Sequence, residues 1–148
     1  KSDVIELLQI IRFLLTHPNS IVRIATLEPS HEKYPDLSFQ TWELRFLLET
    51  SEAGAKIFFY KPEGELKKIL HPKLLMTSLG VVFGSFNLTK AGRYYHIEDG
   101  NYSSSSSPIY FEKKKRIEEI LSTCQEVNTE KIRKLLEDFE TRLAHSQT

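Results

Sequence analysis

The 148-residue chain contains one cysteine, one methionine and one tryptophan, and its cationic and anionic side chains balance at 20 each. Cys124 has no intrachain partner for a disulfide, so nothing calls for an oxidising compartment, and the expected setting is cytoplasmic. A net charge of zero excludes a chain that holds polyanions by bulk positive charge, although it leaves room for a local basic groove. No apolar run reaches the ~18 residues of a membrane span, so no membrane partner is expected. No signal peptide is visible, because the opening stretch alternates apolar residues with Glu, Gln and Arg. No Asp/Glu cluster has metal-ligand spacing, and neither a metal nor another cofactor is expected. The first residue is Lys1 and the sole methionine is Met76, which raises the expectation that the segment belongs to a longer protein.

What is present suggests one globular domain over residues 1–148, with 40% hydrophobic residues to build a core and 27% charged residues to solvate it. The spacing of apolar residues predicts a helix over 3–16, ended by His17-Pro18-Asn19-Ser20, and a second helix over 37–52, stopped by Gly54. The β-branched stretch 21–27 and the stretch 55–61 read as strands. A hairpin follows over 71–87, then a polar stretch with clustered aromatics at 90–102. Ser103 to Pro108 is low in complexity and reads as a flexible loop. Two helices close the chain, one over about 109–123 and one over 129–144. The latter carries Ile132, Leu135, Leu136, Phe139 and Leu143 as one apolar stripe, and residues 128–148 are expected to dock on the chain itself or to serve a dimer contact. The order α-β-α-β-β-β-α-α implies an α/β fold, a mixed β-sheet flanked by helices on at least one face.

The hairpin segment, HPKLLMTSLGVVFGSFN, carries two pairs of polar residues at strand spacing. Residues i and i+2 of a strand share a face, so His71 and Lys73 project together, as do Ser85 and Asn87. A three-residue loop over Ser78-Leu79-Gly80, with the glycine left-handed, would set Lys73 opposite Ser85 and His71 opposite Asn87. All four would then form one patch, with cross-strand neighbours about 5 Å apart. Gly84 leaves open space for a group to approach the backbone. A lysine charge with Ser and Asn donors suits the non-bridging oxygens of a phosphoryl group, and a histidine beside them can serve as nucleophile or general acid/base.

On these residues the chain resembles the phospholipase D superfamily, whose signature is H-x-K, four residues, D, six residues, then G-S-x-N. His71-Pro72-Lys73 and Gly84-Ser85-Phe86-Asn87 match its two ends, and Gly84 to Thr89 is similar to the form found in small bacterial phospholipase D-like nucleases. Those members carry a Glu eleven residues beyond the Asn, which falls here on Glu98. The resemblance extends loosely over residues 4–124 and implies a phospholipase D-like fold with one motif copy per chain. It further implies that His71 attacks phosphorus, that Lys73 and Asn87 hold phosphate oxygens with Ser85 in support, and that Glu98 orients His71. With one copy per chain, two His71 residues would face each other across the two-fold axis of a homodimer and form one active site. The family's Asp falls on Ser78 and the spacing from it to Gly84 is one residue shorter, which implies a different loop rather than different chemistry.

The implied function is a metal-independent phosphodiesterase, an endonuclease of restriction type acting on nucleic acid, DNA by preference. Two alternatives stand beside it: a nucleic-acid-binding module with little or no turnover, and a lipid or small-phosphodiester hydrolase or transferase. Tyr94 and Tyr95 could stack on bases or pack at a rim, and His96 reads as a surface residue. The run Lys113-Lys114-Lys115-Arg116 could meet a phosphate backbone or be a solvated helix face.

Overall fold

The computed structural model describes residues 2–18, 20–33, 35–61, 73–84 and 100–147. They form a mixed α/β structure in two compact units. One comprises Val4–Tyr60 and Cys124–Thr148; the other comprises Lys1–Asp3 and the segment Lys61–Thr123, which is inserted into the first along the chain.

The first unit is built on helix α1 (Ser2–Leu15), strand β1 (Arg23–Leu27), helix α2 (Leu37–Glu52) and strand β2 (Lys56–Tyr60). β1 and β2 pair in parallel, Arg23 with Lys56 through Leu27 with Tyr60, with α2 as the crossover that parallel neighbours require. The limits of α2 have local causes. Asp36 caps its start, its carboxylate accepting the Phe39 N–H at 2.9 Å. At its end Gly54 has φ of +113°, a conformation in which other residues are strained.

After the inserted segment the chain returns as strand β6 (Gln125–Val127), antiparallel to β2, so the sheet order is β1-β2-β6. Sequence reading missed β6, because Gln-Glu-Val has no alternation to betray a strand. Only Val127, set against Ile57, is buried. The last helix (Thr129–Ser146) is capped by Asn128, which accepts the Lys131 N–H at 2.8 Å. Its stripe Ile132, Leu136 and Phe139 enters a core shared with Leu44 and Leu47 of α2, Ile57 and Phe59 of β2, and Ile11 of α1. Arg45–Glu140 and Arg133–Glu52 ion pairs, at 3.1 and 3.2 Å, join α2 to this helix at the surface, where each contributes at most ~1 kcal/mol.

The inserted unit holds an antiparallel sheet of strands β3 (Lys73–Met76), β4 (Gly80–Gly84) and β5 (Gly100–Ser104), in that order. Helix α3 (Pro108–Thr123) packs on β4 and β5, and the closing helix Thr129–Ser146 is accordingly α4. The serine-rich stretch expected to be a flexible loop is in part strand β5: Ser103 and Ser104 pair with Val81 and Gly80. A ladder is made by backbone groups, and a neighbouring strand with free donors and acceptors can order a segment whose side chains carry no strand pattern.

Candidate functional site

The hairpin β3–β4 forms, but not in the expected register. Its ladder pairs Met76 with Val81, Leu75 with Val82, Leu74 with Phe83 and Lys73 with Gly84. The loop is Ser78-Leu79, two residues closed by the Thr77 N–H donating to the Gly80 carbonyl at 2.9 Å. The Leu79 N–H donates to the Thr77 hydroxyl oxygen at 3.2 Å, which tightens the turn from inside. The three-residue loop over Ser78–Gly80 is therefore replaced by a shorter one, and Lys73 stands across from Gly84 rather than Ser85. A one-residue change of register exchanges the faces of a strand, so this ladder does not supply the expected Lys73–Ser85 pairing.

The reason lies in Gly80. It is not a left-handed turn residue but the first residue of β4, paired with Ser104. The Tyr102 ring crosses from β5 and lies on it. A Cβ at position 80 would meet Tyr102 Cε2 at 2.6 Å and the Ser103 carbonyl oxygen at 2.7 Å. What this position needs is the missing side chain, not the freedom of φ.

At the other end of the sheet the first residue of β3, the last of β4 and the first of β5 form a single rung, Lys73–Gly84–Gly100. Two of its three members are glycines and bring no side chain of their own to the rung. Of the expected site residues, Lys73 and Gly84 are thus placed as cross-strand partners. His71, Ser85, Asn87 and Glu98 lie outside the described residues, as do Tyr94, Tyr95 and His96. In the sequence, however, His71 is two residues before Lys73, Ser85 directly follows Gly84, Asn87 is three residues beyond it, and Glu98 is two residues before Gly100. All four belong to segments that join the sheet at this one rung. Ser78, where the family signature has Asp, is at the opposite end, the first residue of the loop.

A second set of polar groups, not singled out from the sequence, lies in the other unit beyond the C-terminal half of β1. The Thr26 hydroxyl donates to Glu43 Oε1 at 2.8 Å, and the Ser30 N–H donates to Gln40 Oε1 at 2.8 Å. Burial pushes the Glu43 carboxyl above its usual range, and the Thr26 hydrogen bond only partly offsets this. Gln40 and Glu43 are one turn apart on α2, on the side that carries the buried Thr41, Leu44 and Leu47. That shared side was the signal available in the sequence, two polar residues among inward-facing positions.

Among the described residues no group of three or more His, Cys, Asp or Glu side chains is arranged to hold a metal ion, and no helix is long and apolar enough to cross a membrane. Comparison with known protein families, curated proteins and solved structures found no match.

Proposed function

We propose that the chain is a metal-independent phosphodiesterase of the phospholipase D-like type that cleaves nucleic acid, DNA by preference, as a homodimer with one shared active site. The observation that carries this reading is the rung Lys73–Gly84–Gly100, because His71, Ser85, Asn87 and Glu98 belong to the three segments attached to it. A histidine, a lysine, an amide and a carboxylate are the set that phosphoryl transfer through histidine needs, and in this reading they meet at that end of the sheet. In this reading the glycines at 84 and 100, which bring no side chain of their own, let a phosphodiester approach the backbone there.

In this reading an imidazole nitrogen of His71 attacks phosphorus, and the bond from phosphorus to the leaving oxygen breaks. That oxygen takes a proton from the His71 of a second copy. Water then attacks the phosphohistidine, passing its proton to the second imidazole and releasing the first. Lys73 and Asn87 carry the charge on the non-bridging oxygens in both steps, and Ser85 supports them. Glu98 accepts the His71 N–H and fixes the tautomer.

The test is a reaction with end-labelled oligonucleotide in EDTA, quenched in acid. Cleavage should proceed without metal, label should become attached to His71, and His71→Ala should abolish both. Cleavage that needs added metal, or no cleavage of any phosphodiester by the wild-type chain, would overturn the reading.

A further inference from the structure

The charged groups of the described helices fall into two kinds. On α1, α2 and α4 the arginines are engaged: Arg12 with Glu49, Arg45 with Glu140, Arg133 with Glu52 and Glu130, Arg142 with Asp138. On α3, by contrast, Lys114, Lys115 and Arg116 are exposed and make no ion pair or hydrogen bond among the described residues, although Glu112 and Glu119 lie within reach on the same helix. The side chains of the three cations fan over the exposed arc of one helical turn, Lys115 between Lys114 and Arg116, with Glu112 before them and Glu118 and Glu119 after, so the positive charge is confined to that turn.

An aromatic ring accompanies them. Phe111 is 60% exposed, and it precedes Lys114 and Lys115 by three and four residues, which places the three as neighbours on the helix surface. The ring is not loose. It stands edge-on to Tyr110, with centroids 5.7 Å apart, and Tyr110 is buried and hydrogen-bonded to the Thr77 carbonyl. An exposed apolar ring costs free energy in water, and this one is held flanking unpaired cations by an anchored neighbour. Cations beside a fixed π-face suit a polyanion that also carries flat bases. An anionic membrane fits less well, since the only large apolar side chains exposed on α3 are Ile109 and Phe111 in its first turn, and the outward residues after them at 112, 114–116, 118, 119 and 122 are all polar or charged.

We propose that this turn of α3 is a docking surface for a nucleic-acid strand, with a base stacked on Phe111, phosphates on its neighbours Lys114 and Lys115, and a further phosphate reached by Arg116 from the other side of the exposed arc. The proposal deepens the nuclease reading, from which it takes the class of polymer, but the binding it describes does not require that reading's chemistry. A strand on α3 lies on the unit that also carries the β3–β4 hairpin.

The experiment uses the full chain with His71→Ala, so that binding is measured without cleavage. Fluorescence anisotropy of a fluorescein-labelled single-stranded oligonucleotide is followed across a salt series. Joint replacement of Lys114, Lys115 and Arg116 by Gln should weaken binding about tenfold or more and reduce the log–log salt slope by roughly 2, at about 0.7 for each phosphate that is no longer neutralised. Phe111→Ala should weaken binding about fivefold or more and leave the slope unchanged. Thermal melting of each variant, expected to match the parent because the altered side chains are exposed, separates a weakened binding surface from a damaged fold. Unchanged affinity and slope in the folded triple variant would overturn the proposal, as would binding of anionic vesicles in place of the oligonucleotide. Cleavage by the otherwise wild-type chain is scored separately. Active protein with α3-independent binding sinks the inference and spares the nuclease reading, while α3-dependent binding without any cleavage does the reverse.

Discussion

The phenol of Tyr110, in the first turn of α3, donates a hydrogen bond to the backbone carbonyl of Thr77 at 2.8 Å. The two residues are 33 positions apart, and the bond ties the helix to the tip of the β3–β4 hairpin. The turn has further support from the residue after β5: the Ser105 N–H donates to the Leu79 carbonyl at 2.8 Å. The hairpin end remote from the Lys73 rung is thus fixed from two sides.

Tyr110→Phe should therefore weaken the inserted unit while keeping its packing. The ring stays buried and only the hydroxyl is removed, leaving the Thr77 carbonyl to find water or none. The expected loss is about 1 kcal/mol in urea unfolding. A variant as stable as the wild type would mean that water takes over the carbonyl at no cost.

Gly80→Ala tests why the hairpin has a two-residue loop. The added methyl would sit 2.6 Å from Tyr102 Cε2 and 2.7 Å from the Ser103 carbonyl oxygen, and the latter belongs to a paired strand that cannot simply swing aside. We expect a loss of about 1–3 kcal/mol. Combining it with Tyr102→Ala should recover only part, because the clash with the carbonyl remains. Had Gly80 been required for a left-handed turn, removal of the Tyr102 ring would recover nothing.

These same residues show what could be read from the sequence and what could not. The helix over 37–52 was legible to the residue from its apolar bulk and the stop at Gly54, although three of its five buried positions, Gln40, Thr41 and Thr50, are polar. The C-terminal stripe from Ile132 to Phe139 was legible from its apolar spacing, and its burial against α2 is what that spacing implies. β5 and β6 were not. Serines and Gln-Glu-Val acquire strand geometry from the backbone of the strand beside them, and that neighbour is not local in the sequence. The hairpin register was missed by one residue, because a glycine near a turn has two uses, left-handed φ and absence of a side chain. Only the ring of Tyr102, 22 residues on, decides between them. Of the candidate site, the neighbourhood of Lys73 and Gly84 was legible and their direct pairing was not.

Glu43 gives a prediction about pH. Burial raises its carboxyl pKa in the folded chain above the unfolded value, so the folded state retains a proton that the unfolded chain has released. Between those two values the folded state binds more protons, and stability falls as pH rises; above the folded value the loss is complete, and below the unfolded value there is none. Glu43→Gln keeps an oxygen to accept the Thr26 hydroxyl and removes the charge. The variant should melt higher than the wild type at neutral pH and match it in acid below the ordinary carboxylate range. A lower melting temperature at neutral pH would show that the ionised carboxylate is favoured in the fold.

The shared active site makes a prediction that a self-contained site does not. If the catalytic unit needs one His71 as nucleophile and a second as acid, a mixed dimer of wild type with His71→Ala has only one imidazole for two tasks. On random exchange of subunits, fully competent dimers fall as the square of the wild-type fraction, so an equimolar mixture should retain about a quarter of the wild-type rate. Independent sites would retain about half. The measurement is oligonucleotide cleavage at fixed total protein after subunits have been exchanged and re-equilibrated, with gel filtration to establish that the dimer is the species assayed. A linear decline with wild-type fraction, or full activity from a monomer, rules out the two-histidine site even if His71 itself proves indispensable. The quadratic decline would tie the chemistry of the Lys73 rung to a second copy of the chain.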